Sequence, residues 1–170
     1  MATSNLLIYN STALTATISL SSLVTSTTSA SNCWQGNTID FGTPRAELWL
    51  ARLQGAWTTT VAAGGTLDLY MVWSSSTVTS TFPGGAAGGN VAYSGPSGVP
   101  AEALQQLEFI GSLVVCAATA STVVQAQNVG VAVARAQYGI PIVCMRTSTT
   151  LTTTTGNHEL KFIPIYPQQQ

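Results

Sequence analysis

The chain holds a single histidine, His158, so any Ser–His or Cys–His nucleophile–base scheme has to pass through it. It lies in "TTTTGNHEL", directly after Gly156 and Asn157, a pair suited to the positive φ values of a hairpin turn, which implies a solvent-exposed side chain. Four acids, Asp40, Glu47, Asp68 and Glu159, are candidates for glycoside hydrolysis, which needs two carboxyl groups facing one another about 5–10 Å apart. Their spacing does not enforce such a meeting. "AYSGPSG" carries serines beside glycines but departs from G-x-S-x-G, and "GGAAGG" lacks the lysine and the strand–loop–helix setting of a phosphate cradle. Cys33, Cys116 and Cys144 form neither a C-x-x-C pair nor a Cys/His ligand spacing, so zinc is not indicated. The expectation is a protein with no catalytic residue, no cofactor and no metal.

Composition narrows the classes further. The 170 residues fit one domain with a core of its own, and 45% of them are apolar. Only 6% are charged, against about 25% in an average soluble domain, and serine and threonine take their place. With a net charge of -1 there is little repulsion between copies, a surface character that favours association. The five basic residues, Arg45, Arg52, Arg135, Arg146 and Lys161, are scattered and cannot neutralise a row of phosphates, which excludes nucleic acid as a partner. No apolar run approaches the ~20 residues of a membrane-spanning helix, and the N-terminus has no basic segment of the signal-peptide kind, so it reads as mature protein. The sequon at Asn10 is the chance product of a Ser/Thr-rich chain. Cys116 and Cys144 sit in apolar runs and read as small buried hydrophobes, and a reducing site of synthesis is expected.

The elements that must position any site are strands. "LLIY" (6–9), "TATISL" (15–20), "NTIDF" (37–41), "AELWLARLQ" (46–54) and "TLDLYMVW" (66–73) precede a long Gly/Pro/Ser/Thr loop. "LEFIGSLVVCA" (107–117), "TVVQAQNVGVAVA" (122–134), "GIPIVCMRT" (139–147) and "ELKFIPIY" (159–166) follow it. Alternation puts Leu67, Leu69, Met71 and Trp73 on one face, toward the core. "AELWLARL" is apolar in both phases, which predicts cover on both sides, by a second sheet and by a loop or neighbouring chain. Pro164 marks an edge or a free strand end, and the Gly156–Asn157 turn predicts a hairpin between "GIPIVCMRT" and "ELKFIPIY". The one helical signal is Ser97 to Glu108. Together these predict an all-β chain: an antiparallel β-sandwich of the jelly-roll kind with at most one short helix, residues 32–170, preceded by a Ser/Thr-rich arm with short strands, residues 1–31.

Four aromatic residues stand out as candidate contacts. Trp34 in "NCWQGN" and Trp57 in "GAWTTT" flank turns, where an indole serves as a subunit contact or a sugar platform, and Phe82 and Tyr93 lie in the long loop.

"NTIDFG", "AELWLARLQGAW", "GGTLDLYMVWSSS", "LEFIGSLVV" and "NHELKFIPIY", over Asn37 to Tyr166, resemble a group of structural proteins of tailed bacteriophages. The resemblance implies a jelly roll and a virion component on the capsid exterior, made in the host cytoplasm: a decoration or cement protein seated on the major capsid protein and beside copies of itself. It carries over no catalytic residue. On this reading the loop Ser74 to Pro100 is an adaptable contact element ordered only against a neighbour, and the arm Met1 to Ser31 reaches toward an adjacent copy. The alternative is a tail or head fibre domain that binds host-surface glycan through Trp34, Trp57 or Tyr93. A third reading is a glycan-cleaving enzyme built on Asp68.

Overall fold

Strict alternation of apolar and polar residues sends successive side chains to opposite faces, and the chain uses it to build two layers. The computed structural model describes residues 12–23, 32–42, 46–57, 63–96, 98, 103–117, 123–147, 151 and 155–165. The strand expected at 6–9 lies outside them. Ten strands form among the described residues: β1 (Leu14–Thr15), β2 (Cys33–Gln35), β3 (Ile39–Asp40), β4 (Leu48–Trp57), β5 (Thr66–Ser74), β6 (Val91–Ala92), β7 (Glu108–Val114), β8 (Val123–Val133), β9 (Tyr138–Arg146) and β10 (Glu159–Ile165). The first sheet has the order β1-β10-β4-β8, and the second β6-β2-β9-β5-β7 with β3 also on β9. Every pairing is antiparallel, so the expected sandwich forms. Of the helical stretch expected from Ser97 to Glu108, the described residues show Ala103 in helical conformation followed by a 3₁₀ turn at Leu104–Gln106, while positions 97 and 99–102 lie outside them.

β1 pairs with β10, β2 with β9, β4 with β8 and β5 with β7. The chain therefore runs as one long hairpin, with its tip between β5 and β7, wound into two layers. The hairpin expected between β9 and β10 is a correction. β9 has both its edges occupied, by β5 on one side and by β2 and β3 on the other, so β10 crosses to the other sheet after the 3₁₀ turn Thr155–Asn157. Pro164 does have a free ladder side: β1 meets β10 only at Lys161 and Phe162.

Between the layers lie Trp49, Ala51, Leu53, Leu160 and Phe162 of the first sheet and Leu67, Leu69, Met71, Leu113, Val143 and Met145 of the second. Phe41 sits at the aromatic centre, 5.2 Å from Trp49, 5.0 Å from Trp73 and 5.5 Å from Phe162 between ring centroids. Each large side chain fully removed from water contributes about 1.5–3 kcal/mol. Ala16, Leu20 and Leu23 also enter this core, so the described part of the expected arm belongs to the sandwich.

The open side of the sandwich closes where β7 meets β8. Each strand carries a register shift, at Ile110 between Leu69 and Tyr70 of its partner, and at Val129 between Ala51 and Arg52. The two bulges oppose one another, so the Ile110 carbonyl approaches Gly130 and the Val129 carbonyl approaches Gly111. Beyond this crossing β7 has no strand neighbour on its outer edge among the described residues, and two glutamines of β8 stand in for one. Gln127 accepts from the Val114 N–H at 3.1 Å and donates to the Val114 carbonyl at 3.0 Å; Gln125 treats Cys116 the same way at 2.9 and 2.8 Å. A primary amide has the donor and acceptor of a peptide group, and the i, i+2 spacing of the glutamines matches that of the strand edge they cap.

The long loop is the largest departure from expectation. Its described part does not wait for a neighbour: Phe82, Ala86 and Tyr93, with Ala103 and Leu104 just after the loop, fold over the outer face of the second sheet and make a second core with Cys33, Val72, Ile140, Ile142 and Cys144. Gln35 of β2 accepts from the Ala87 and Gly88 N–H groups at 2.9 and 3.1 Å, and the Tyr93 hydroxyl donates to the Gly84 carbonyl. Burial raises the Tyr93 pKa above the ordinary phenol value. Three of the four glycines of "GGAAGG", Gly84, Gly85 and Gly88, serve close packing: a β-carbon on Gly84, at φ 66°, would lie 2.6 Å from Leu107 Cδ2. The cysteine expectation is corrected as well. Cys144 is bonded to Cys33 directly across β2 and β9, while Cys116 is exposed because it continues the outward phase of Val114, with Val115 between them buried.

Candidate functional site

Three strands of the first sheet carry apolar residues in both phases, "LWL" in β4, "VGVAV" in β8 and "FIPI" in β10. One phase fills the core, and the other must point outward. Register aligns these outward residues into two rows, Ile163–Leu50–Val131 and Ile165–Leu48–Val133. Leu48, Val131 and Val133 are 39%, 45% and 41% exposed, and Leu50, Ile163 and Ile165 are half-buried. The double cover expected for β4 is thus met on the inner side by the second sheet, and on the outer side by nothing among the described residues.

The adjoining rows change character at once. Lys161 stands beside Arg52 and Asn128, and Glu159 beside Gln54 and Ala126. Lys161 Nζ lies 2.5 Å from Glu159, and Arg52 Nη1 3.8 Å from it. A contiguous apolar area with a charged, hydrogen-bonding margin is the anatomy of a protein contact, whereas single exposed aliphatic residues are not. Strands about 4.8 Å apart make the two rows roughly 10 Å wide before side chains are counted, the centre of an interface rather than the whole of one.

The four aromatic candidates are placed elsewhere. Trp57, Phe82 and Tyr93 are buried, Trp57 in the main core and the other two under the loop, so as placed they offer no side-chain face to a partner. Trp34 is half-buried and donates from Nε1 to Asn90 Oδ1 at 2.9 Å, which helps to tie the loop to β2. Sequence reasoning names none of these six residues as a contact, although it reads the two-sided apolar pattern of "AELWLARL" as a strand covered on its outer side by a loop or neighbouring chain.

The acids do not converge. Asp68 is buried on the outer side of the second sheet, where Oδ1 accepts from Ser112 Oγ at 2.6 Å and Oδ2 from Arg146 Nε at 2.6 Å. That hydrogen bond first, and one to Tyr70 second, hold the Arg146 guanidinium above its ordinary pKa. Glu159 lies on the outer side of the other sheet. Asp40 pairs with Tyr138 while Asp68 pairs with Cys144, six positions along β9 and about 20 Å away. Glu47 is exposed at the start of β4. His158 is half-buried, and its Nδ1 accepts from the Ala56 N–H at 3.4 Å. Among the described residues no three His, Cys, Asp or Glu side chains gather as a metal site would require, and no helix is long and apolar enough to cross a membrane.

Comparison with protein-family models, curated proteins and solved structures finds no match to this chain.

Proposed function

We propose that this chain is a structural protein that works by being held against other polypeptides, and specifically a virion decoration or cement protein that bridges subunits of the major capsid protein. The observation that carries the reading is the outward aliphatic face of Leu48, Leu50, Val131, Val133, Ile163 and Ile165, exposed or half-buried and paired in two rows. Its virion setting rests on the resemblance of the strand sequences to phage structural proteins. The wiring supports a jelly roll: with β3 and β6 set aside, the remaining eight strands pair first with last, second with second-last, and so on to the tip, as a long hairpin rolled into two Greek keys does. A buried Cys33–Cys144 bond suits a protein that matures on a virion exterior, one of the settings in which disulfides persist. Mechanically, such a protein stabilises a shell by mass action, because it binds the assembled surface and not its separated parts.

The test is a double variant, Leu50→Lys with Val131→Glu, offered to purified shells stripped of the protein. Both side chains point to solvent, so thermal unfolding of the free variant is expected within about 1 kcal/mol of the parent, while shell binding falls by at least ~100-fold through loss of apolar burial and charge desolvation. Wild-type protein added back raises the rupture temperature of the shells, and the variant does not. Equal rupture temperatures with and without wild-type protein remove the proposal.

A further inference from the structure

An open cleft of about 470 Å³ lies between the end of β5, the start of β7 and the 3₁₀ turn Leu104–Gln106, inside the range of about 300–1,000 Å³ typical of small-molecule sites. Its lining includes none of the six residues of the aliphatic face. Trp73, Leu107 and Pro83 of the long loop are among its apolar lining. Gln105, Gln106 and Arg135 stand exposed around it. The cover that the loop makes over the second sheet therefore also shapes a recess at its own base.

The charge in this recess is already matched. Glu108 Oε2 accepts from Trp73 Nε1 at 2.7 Å and from Arg135 Nε at 3.0 Å, and Oε1 accepts from Arg135 Nη2 at 3.0 Å. The bidentate pair raises the Arg135 pKa above its usual value, chiefly through the hydrogen bonds to Glu108. An anionic ligand would have to compete with Glu108 for the guanidinium, and a cationic one with Arg135 for the carboxylate, so a ligand without charge is favoured. Of the five guanidinium N–H groups, two are engaged by Glu108, and three have no partner among the described residues. The two glutamine amides add both donors and acceptors. An indole beside planar polar groups suits a molecule with one apolar ring face and a rim of hydroxyls.

We infer that this cleft is a binding site for an uncharged saccharide, with Trp73 against the sugar ring and Gln105, Gln106 and Arg135 hydrogen-bonding its hydroxyls. It needs none of Trp34, Trp57 or Tyr93, and it stands or falls apart from the structural role proposed above.

The test uses the whole chain and a fixed set of probes: maltose, cellobiose, lactose and diacetylchitobiose as neutral sugars, with sialyllactose as the charged comparison, followed by tryptophan fluorescence and by ligand-observed NMR. At least one neutral sugar is expected to bind and to perturb Trp73. Gln105→Ala with Gln106→Ala, both exposed positions, is expected to weaken that binding about tenfold or more with an unchanged melting temperature, while Leu50→Lys with Val131→Glu leaves it unaltered. Absence of binding by all four neutral sugars overturns the inference, as does preference for sialyllactose or undiminished affinity in the double glutamine variant.

Discussion

Alanine at position 130 is expected to abolish the folded state or to cost more than about 4 kcal/mol, a large share of the ~5–15 kcal/mol that holds a domain of this kind together. A β-carbon on Gly130 falls 2.1 Å from the Ile110 carbonyl oxygen and 3.0 Å from its carbon, and one on Gly111 falls 1.9 Å from the Val129 oxygen. These are backbone atoms, so no rotamer change relieves the overlap. Strands β7 and β8 would have to part by more than about 1 Å, and interiors are too closely packed to absorb that. The separation would draw Ile110 and Val129 off the main core, against which both are packed. Gly156→Ala is the control, because nothing lies within 4 Å of its added carbon; its stability should stay within about 0.5 kcal/mol. Urea midpoints followed by circular dichroism read both variants. A Gly130→Ala protein with the parental midpoint would show that the two bulges do not meet as described.

Removal of the disulfide is the second large effect. Cys33 and Cys144 lie 111 residues apart in the chain, and on a chain-entropy basis a loop near that length restricts the unfolded state by up to ~4.7 kcal/mol, with typical losses of about 2–5 kcal/mol on removal. Both cysteines are buried in the second core, so the bond also fixes the floor on which the loop rests. Cys33→Ala with Cys144→Ala should lower the melting temperature by about 5–20 °C for a chain of this size, and a reducing agent should do the same to the parent. Thiol labelling gives an independent reading: the native protein should react once, at exposed Cys116, and three times after unfolding in reductant. Three reactive thiols before reduction, with no change in melting temperature on adding reductant, would contradict the pairing.

Much of the fold was legible because period-two alternation is a local signal. β5, β8, β9 and β10 fall within a residue of their expected limits, and the inward set Leu67, Leu69, Met71 and Trp73 packs on the core as alternation requires. Partner choice was not legible, because a turn sequence such as Gly156–Asn157 specifies a reversal and not the sheet to which the chain returns. The loop was misread for a related reason. Glycine in a polar segment signals freedom when the neighbours are unknown, yet at Gly84 the same residue is what lets the backbone lie against Leu107 and Tyr93. Of the buried aromatic candidates, Trp57 flanks a turn and Phe82 and Tyr93 lie in the long loop, settings that suggest exposure in one dimension, whereas burial is decided by strands far away in sequence. Conversely, the aliphatic face was concealed by resembling core: Leu48 and Leu50 look buried in one dimension, and only the register with β8 and β10 turns them into a surface.

The most direct test of the account is side-chain footprinting with hydroxyl radicals of the free chain and of the chain seated on virions. Leu48, Leu50, Val131, Val133, Ile163 and Ile165 should lose most of their reactivity on seating, while Val78, 56% exposed on the loop side, keeps its own. If those six residues react equally in both states, or if virions do not hold the chain at all, the first sheet is not the surface by which it is held.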